Sequence, residues 1–506
     1  MISSFLSRRA LLADRFLYTT PGGVGLEAET VEFGSRGGAT LRGWLLRGPK
    51  AGTVVFCPGN AGNMSAHLEY ARLVRRTGYS FLGFDYRGFG RSDGEADLCT
   101  VVHDVEAACA FTAIHTREPY ALFGLSLGAG AALAAAARTA AAAVAVVVDG
   151  PCDIEGMLRG LFAEGSFGPV RVHAVAGLTG RLTERRRGRL VKRRLPSPVA
   201  SLLARLSAAF YSFEGKSPGS LAAHLGPKPV LLVHGVEDEI LPFEAALDLH
   251  EQLRGPKRLW LVPGIGHAQE PVLARGLEYA AQLEDFLDGA FAGTALLTPA
   301  VRVAVLPPPH PATGGVTARL GLDASAAASG SRGPVLLSAV GGGVLRQVVL
   351  EGSEEAVLEF PGPIERVVAL RVLHTDPDAS GERYVSGGHQ TVFRAIIQAV
   401  NGRDLASLDA ALEAHVRLGR AAPLDFLAAL YCLRGAQAAL GALPSWPARD
   451  RVLARRHLER VLVLWTSNPA LPGADVAASP ARWVHEQLAK TTGARARSSL
   501  GEGDVM

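Results

Sequence analysis

The chain has 506 residues, room for two or three domains at roughly 150 residues each. A hydrophobic content of 48% with 20% charged residues argues against a disordered protein and allows large cores. A net charge of only +4 gives no case for a general nucleic-acid binder, and five scattered cysteines without C-x-x-C spacing argue against a disulfide framework or a cysteine-ligated metal.

Residues 1–29 read as an N-terminal extension. The stretch is charged and has no apolar core followed by a small-residue cleavage site, so no signal peptide is expected. Phe5, Leu6, Leu11, Leu12 and Phe16 give it a weakly amphipathic character suited to contact with a membrane surface.

From about 30 to 290, short apolar segments alternate with helical patterns. Strands are expected at Val31, Thr40, Thr53, Tyr79, Tyr120, Ala143, Pro229 and Arg258, most of them closed by Gly or Pro. Several are apolar at every position, the pattern of a mostly parallel sheet covered on both faces. Helices are expected between them: Leu68, Ala71 and Val74 share one face before a stop at Gly78, and a similar segment ends at Gly255. Eight strands with intervening helices define an α/β sandwich.

Leu127–Val148 is 22 residues of small apolar side chains, long enough to cross a bilayer. Arg138 lies at its centre, where a charge costs about 2.5–3.5 kcal/mol on insertion scales. Its first half is rich in Ala and its second in Val, so it divides into a helix, a turn near Arg138–Thr139 and a buried strand.

Cys152–Gly226, 75 residues, is too long for a simple connection and reads as a lid insertion. Within it, Arg171–Arg194 holds nine basic residues and one acid; that stretch is +8 and the rest of the chain, by difference from +4, is −4. The basicity suits a solvated helix face, or attraction to an anionic membrane surface. Residues 291–333, rich in Pro, Gly and Ala, read as an irregular linker. Residues 334–495 read as a C-terminal accessory domain, strands over Pro334–Val372 and then helices, mainly helical overall. The tail, 496–506, reads as disordered.

The chemistry gathers at Gly124-Leu125-Ser126-Leu127-Gly128. This segment ends one expected strand and opens one expected helix, the context of a nucleophile elbow. Ser126 needs a base. His267 falls just past the strand at Arg258 and is assigned as general base and then acid. Asp238 falls just past the strand at Pro229 and is assigned as the group that orients the imidazole, with Glu237, Glu239 and Asp149 as alternatives. All three assigned residues lie at the carboxyl edge of the sheet, where ligands bind in open α/β folds. The expected oxyanion donors are the backbone N–H groups of Leu127 and of Asn60, the latter in the loop Cys57–Asn63.

These motifs resemble the α/β-hydrolase superfamily over residues 30–290. They are similar to its branch with an HGNAGN loop, a DYRGFGxS loop and an HGxxDxxVP loop. Here the three read Pro58–Asn63, Asp85–Ser92 and His234–Pro242, with Pro58 in place of the His and Leu241 in place of the Val. The leading reading is a serine hydrolase that cleaves an ester, thioester or amide; the resemblance implies carboxylic-ester or lipid-like substrates first and peptides second, with no metal or organic cofactor. It leaves Asp85 a structural rather than catalytic residue. An acyltransferase, or a non-catalytic hydrolase-fold scaffold carrying a C-terminal interaction domain, are the alternatives. The expected setting is cytoplasmic, with an anionic membrane as the second surface and the C-terminal partner unknown.

Overall fold

A computed structural model of the chain describes residues 11–13, 17–138, 143–151, 218–238, 241–294, 301–306, 316–322, 334–350, 355–373, 404–418, 422–440 and 450–467, with scattered shorter stretches besides. An eight-stranded sheet is formed by β1 (Glu29–Gly34), β2 (Thr40–Leu46), β3 (Thr53–Cys57), β4 (Ser80–Phe84), β5 (Tyr120–Leu125), β6 (Ala143–Asp149), β7 (Val230–Gly235) and β8 (Lys257–Val262). Its spatial order is β8-β7-β6-β5-β3-β4-β2-β1. β3 to β8 run parallel, while β1 and β2 are antiparallel additions at one edge.

Strand periodicity explains the layers. Along β3, Val54 and Phe56 face one side and Val55 and Cys57 the other, and all four are fully buried. The first side packs on α1 (Leu68–Arg76) and α7 (Gly276–Ala292) through Leu68, Ala71, Tyr279 and Phe286. The second packs on α2 (Val101–His115) and α3 (Leu127–Arg138), and on α4 (Pro218–Ala222) and α5 (Glu244–Gln252). A short helix, α6 (Glu270–Ala274), precedes α7. The burial of β1 alternates, as suits an antiparallel edge strand with one wet face.

The long apolar stretch divides as its composition indicates. α3 runs to Arg138, whose guanidinium pairs with Glu106 at 3.0 Å, and β6 begins at Ala143. Among the described residues no helix is long and apolar enough to cross a membrane. The N-terminal segment is partly built into the fold. Leu11 is buried in the core rather than free to meet a bilayer, and Leu12–Ala13 pair in parallel with Ala61–Gly62. Phe5, Leu6 and Phe16 lie outside the described residues.

The expected lid and its basic run lie outside the described residues, apart from two-residue strands at Arg185–Arg186 and Arg189–Leu190 and the segment from Pro218 onward. The tail, 496–506, lies outside them too.

The C-terminal half departs from expectation. Residues 291–333 hold two strands, β9 (Val301–Leu306) and β10 (Val316–Leu322), not only irregular chain. They were hidden because Pro- and Gly-rich segments flank both. With β13 (Glu355–Phe360) they form one antiparallel sheet; β11 (Val335–Gly341), β12 (Val344–Leu350) and β14 (Ile364–Arg371) form another. Ala318, Leu337, Ala339 and Phe360 fill the space between them. Helices α8 (Leu405–Leu418), α9 (Ala422–Ala439) and α10 (Arg451–Ser467) follow, the expected α+β order of strands and then helices.

This half packs on the hydrolase-like half. Leu336, Leu370, Leu408 and Leu433 belong to the same continuous buried cluster as Trp260, Tyr279 and Phe286. Gln347 Nε2 donates to Leu261 O at 2.9 Å and Gln282 Nε2 to Arg371 O at 2.6 Å. Arg366 pairs with Asp248 and Glu251 at 2.6 and 2.9 Å.

Candidate active site

Ser126 sits in the turn between β5 and α3 with φ +52°, a left-handed conformation that costs a non-glycine residue about 1–3 kcal/mol. The turn is held by the Ser126 N–H, which donates to Asp149 O at 2.8 Å, and by the Ala129 N–H, which donates to Ser126 O at 3.0 Å. The flanking glycines are steric requirements. A Cβ on Gly124 would lie 2.3 Å from Gly128 O, and one on Gly128 would lie 2.0 Å from Cys57 O. The turn thus brings α3 hard against the end of β3. Leu127 is the first residue of α3, so its N–H is one of the first-turn donors without an intrahelical acceptor.

His267 lies in the loop after β8, its side chain 13% exposed. Its Nε2 is 3.1 Å from Ser126 Oγ, and its Nδ1 is 2.6 Å from Asp238 Oδ2. A carboxylate can only accept, so Nδ1 carries the hydrogen and Nε2 is left to accept from the Ser126 hydroxyl. The structure therefore brings together three residues that are dispersed along the chain.

Asp238 follows β7, its side chain 1% exposed. Its second oxygen, Oδ1, accepts from the Leu241 N–H at 2.8 Å. The neighbouring His234 is buried and donates through Nε2 to Leu241 O at 2.9 Å, bracing the same loop. Burial opposes ionisation of Asp238, but the charge and hydrogen bond of His267 outweigh it and hold the carboxyl below its ordinary range. For His267, burial likewise opposes protonation. The Asp238 carboxylate, by charge and hydrogen bond, and then Asp149 prevail, so the imidazole keeps its proton above the usual pH. Of the alternative acids, Glu237 is exposed, Glu239 lies outside the described residues, and Asp149 turns to two tyrosines.

Asn60 lies in the loop after β3, facing the same edge of the sheet. That loop is braced from several directions. Asn63 Oδ1 accepts from the Ser65 N–H at 3.0 Å, and its carbonyl meets His67 Nδ1 at 2.9 Å. The Met64 N–H donates to Asp85 Oδ1 at 2.7 Å, and the Tyr86 hydroxyl donates to Pro58 O at 3.2 Å. Asp85 thus braces the loop through Met64 and lies off the Ser126–His267–Asp238 line. Pro58 lacks an N–H, and its carbonyl is the atom that the neighbouring loop uses.

Tyr70 and Tyr279 join the site without any signal in the sequence. The Tyr70 hydroxyl donates to Asp149 Oδ2 at 3.0 Å and accepts from the Gln269 N–H at 2.9 Å; the Tyr279 hydroxyl donates to Asp149 Oδ2 at 3.1 Å. Neither belongs to a short motif, and their partner is far away in sequence. Among the described residues no cluster of His, Cys, Asp or Glu is arranged to hold a metal ion.

The sheet order, the strand–turn–helix elbow and the loops gathered at the carboxyl edge are those of the α/β-hydrolase fold. Residues 48–167 match a family described as serine aminopeptidase, S33. The uncharacterized protein YfhR of Escherichia coli K12 is 26% identical over 269 residues, 51% of this chain and 80% of the relative. The mitochondrial palmitoyl-protein thioesterase ABHD10 of Mus musculus is 27% identical over 218 residues, 42% of this chain and 66% of that protein. Among solved structures, an esterase of Pyrococcus furiosus aligns over 56% of this chain and 98% of its own, at 17% identity and a TM-score of 0.42.

Proposed function

We propose that the chain is a serine hydrolase that cleaves a carboxylic ester or thioester through an acyl-enzyme on Ser126. The observation that carries this reading is the unbroken relay from Asp238 Oδ2 through the His267 ring to Ser126 Oγ, with contacts of 2.6 and 3.1 Å. The thioesterase among the relatives supports the ester and thioester class over amides.

In this reading the Ser126 hydroxyl gives its proton to His267 Nε2 as Oγ attacks the acyl carbon. The resulting oxyanion is met by the N–H groups of Leu127 and Asn60, each worth about 2.7–4 kcal/mol in comparable sites. Collapse breaks the bond to the leaving oxygen or sulfur, which takes the proton from Nε2. Water then attacks the acyl-enzyme by the same route and releases the acid. Asp238 holds the ring orientation and stabilises the imidazolium, while α3 presents its positive end to the developing charge.

The test is hydrolysis of p-nitrophenyl esters of increasing chain length by the full chain. Turnover by the wild type that Ser126→Ala abolishes supports the reading. Turnover that survives Ser126→Ala, or none across the series, refutes it in favour of a non-catalytic scaffold or a site elsewhere.

A further inference from the structure

Asp149 is fully buried at the carboxyl end of β6, beside the strand that delivers Ser126. Its main chain already serves the elbow, since its carbonyl accepts the Ser126 N–H. Its side chain is harder to explain by stability. Among the described residues Oδ2 accepts two tyrosine hydroxyls and Oδ1 has no hydrogen-bond partner, and a buried acid that no cation hydrogen-bonds is costly. Burial pushes the carboxyl up to about 7, although the two tyrosines favour the charged form.

The second partner of Tyr70 shows what the arrangement is for. Its hydroxyl accepts the N–H of Gln269, two residues after His267. That stretch is strained: Ala268 has φ +21° and Gln269 φ +47°. A non-glycine turn of this kind persists only where its surroundings hold it. Gln269 Nε2 also donates to Ala66 O at 3.0 Å, and Tyr431 of α9 donates to Gln269 Oε1 at 3.4 Å. On the other flank, the site of a Cβ on Gly150 would lie 3.3 Å from His267 Cε1, so the backbone after Asp149 walls the ring.

We propose that Asp149 and Tyr70 are positioning residues for His267: the buried carboxyl aims the Tyr70 hydroxyl, and the hydroxyl pins the backbone of Gln269 that fixes the imidazole against Ser126. The inference rests on the reading of His267 as the base for Ser126. Asp149 thereby ties the nucleophile turn, through its main-chain carbonyl, and the base loop, through its carboxyl and Tyr70, to the end of a single strand. The groups that face it are Tyr70 from α1, Tyr279 from α7, and the charges of His267 and Asp238 from the loops after β8 and β7.

Tyr279 supplies the control. It makes an equally buried hydrogen bond to the same oxygen, but Tyr70 is the one that accepts from Gln269. The experiment compares Tyr70→Phe with Tyr279→Phe in the full chain by saturation kinetics of fluorophosphonate labelling, with thermal midpoints measured in parallel. Misplacing a catalytic group by about 1 Å costs about 100-fold. Tyr70→Phe is therefore expected to slow the maximal labelling rate at least about tenfold, with the half-saturating probe concentration little changed, and Tyr279→Phe to stay within about threefold. Asp149→Ala should follow Tyr70→Phe, and Asp149→Asn, which keeps an acceptor oxygen, should recover most of the lost rate. If Tyr70→Phe does not fold, that second pair decides. Equal slowing by the two tyrosine variants, or failure of Asn to rescue, overturns the proposal while leaving the serine hydrolase standing. A wild type that does not label overturns both.

Discussion

The contact between His267 Nδ1 and Asp238 Oδ2, at 2.6 Å, decides which ring nitrogen faces Ser126. A carboxylate accepts only, so Nδ1 must hold the hydrogen and Nε2 is free to take the serine proton. With an amide at 238, the ring can turn its hydrogen toward Ser126 instead, and the base is lost although the geometry survives. Asp238→Asn is therefore expected to fold normally and to lose about 10³-fold or more in kcat, with KM little changed. Ester turnover by a variant with an unchanged thermal midpoint checks this.

The pH dependence follows from the same pair. His267 must be neutral to act as the proposed base, and Asp238 holds its proton on to higher pH than usual. The kcat/KM profile should rise with pH through a midpoint above about 6.5, the ordinary histidine value. A midpoint below that value contradicts the assignment of Asp238 as the partner. For stability the sign is the same: the raised group stabilises the fold most at low pH, and the contribution fades as pH rises through the folded-state value.

Asp149 gives a separate stability signature. Its carboxyl is pushed up to about 7 from an ordinary 3.8, so the fold carries a growing penalty as pH rises between those values. The penalty is on the order of a few kcal/mol. Asp149→Asn should flatten the dependence of the thermal midpoint on pH between about 4 and 7, with the variant gaining most, relative to wild type, at the upper end.

The elbow has no room for one methyl group. Gly128→Ala would set a Cβ 2.0 Å from Cys57 O, a backbone atom in the middle of the sheet edge. Loss of about 3 kcal/mol or more, or no soluble protein, is expected by chemical denaturation. Gly94→Ala is a useful contrast, because its nearest neighbours are 3.6 and 3.7 Å away and its φ of +80° is the main source of cost.

The two halves should not separate cleanly. Trp260, Tyr279 and Phe286 share a buried cluster with Leu336, Leu370 and Leu433. A chain ending at Gly293 uncovers that surface and is expected to aggregate or to unfold without a sharp transition. A soluble, cooperatively folding fragment with full activity would show the second half to be dispensable.

Much of this site can be read from sequence because its parts sit where strands end. Ser126, Asp238 and His267 each follow an apolar run closed by a turn residue, and parallel strands deliver such ends to one edge. The brace behind them is not legible. Tyr70 and Tyr279 belong to no short motif, and they meet Asp149 from 79 and 130 positions away. The same limit hid β9 and β10, whose flanking Pro and Gly outweighed a short alternating pattern. It also hid Leu11, whose membrane-like character in sequence is satisfied by the protein's own core.

The most direct measurement is a mass-spectrometric map of the full chain after reaction with a fluorophosphonate. A nucleophilic Ser126 activated by His267 predicts a single adduct, on the peptide carrying Ser126, absent in Ser126→Ala and strongly slowed in His267→Ala. No adduct on the wild type, or an adduct that persists in Ser126→Ala, would contradict it.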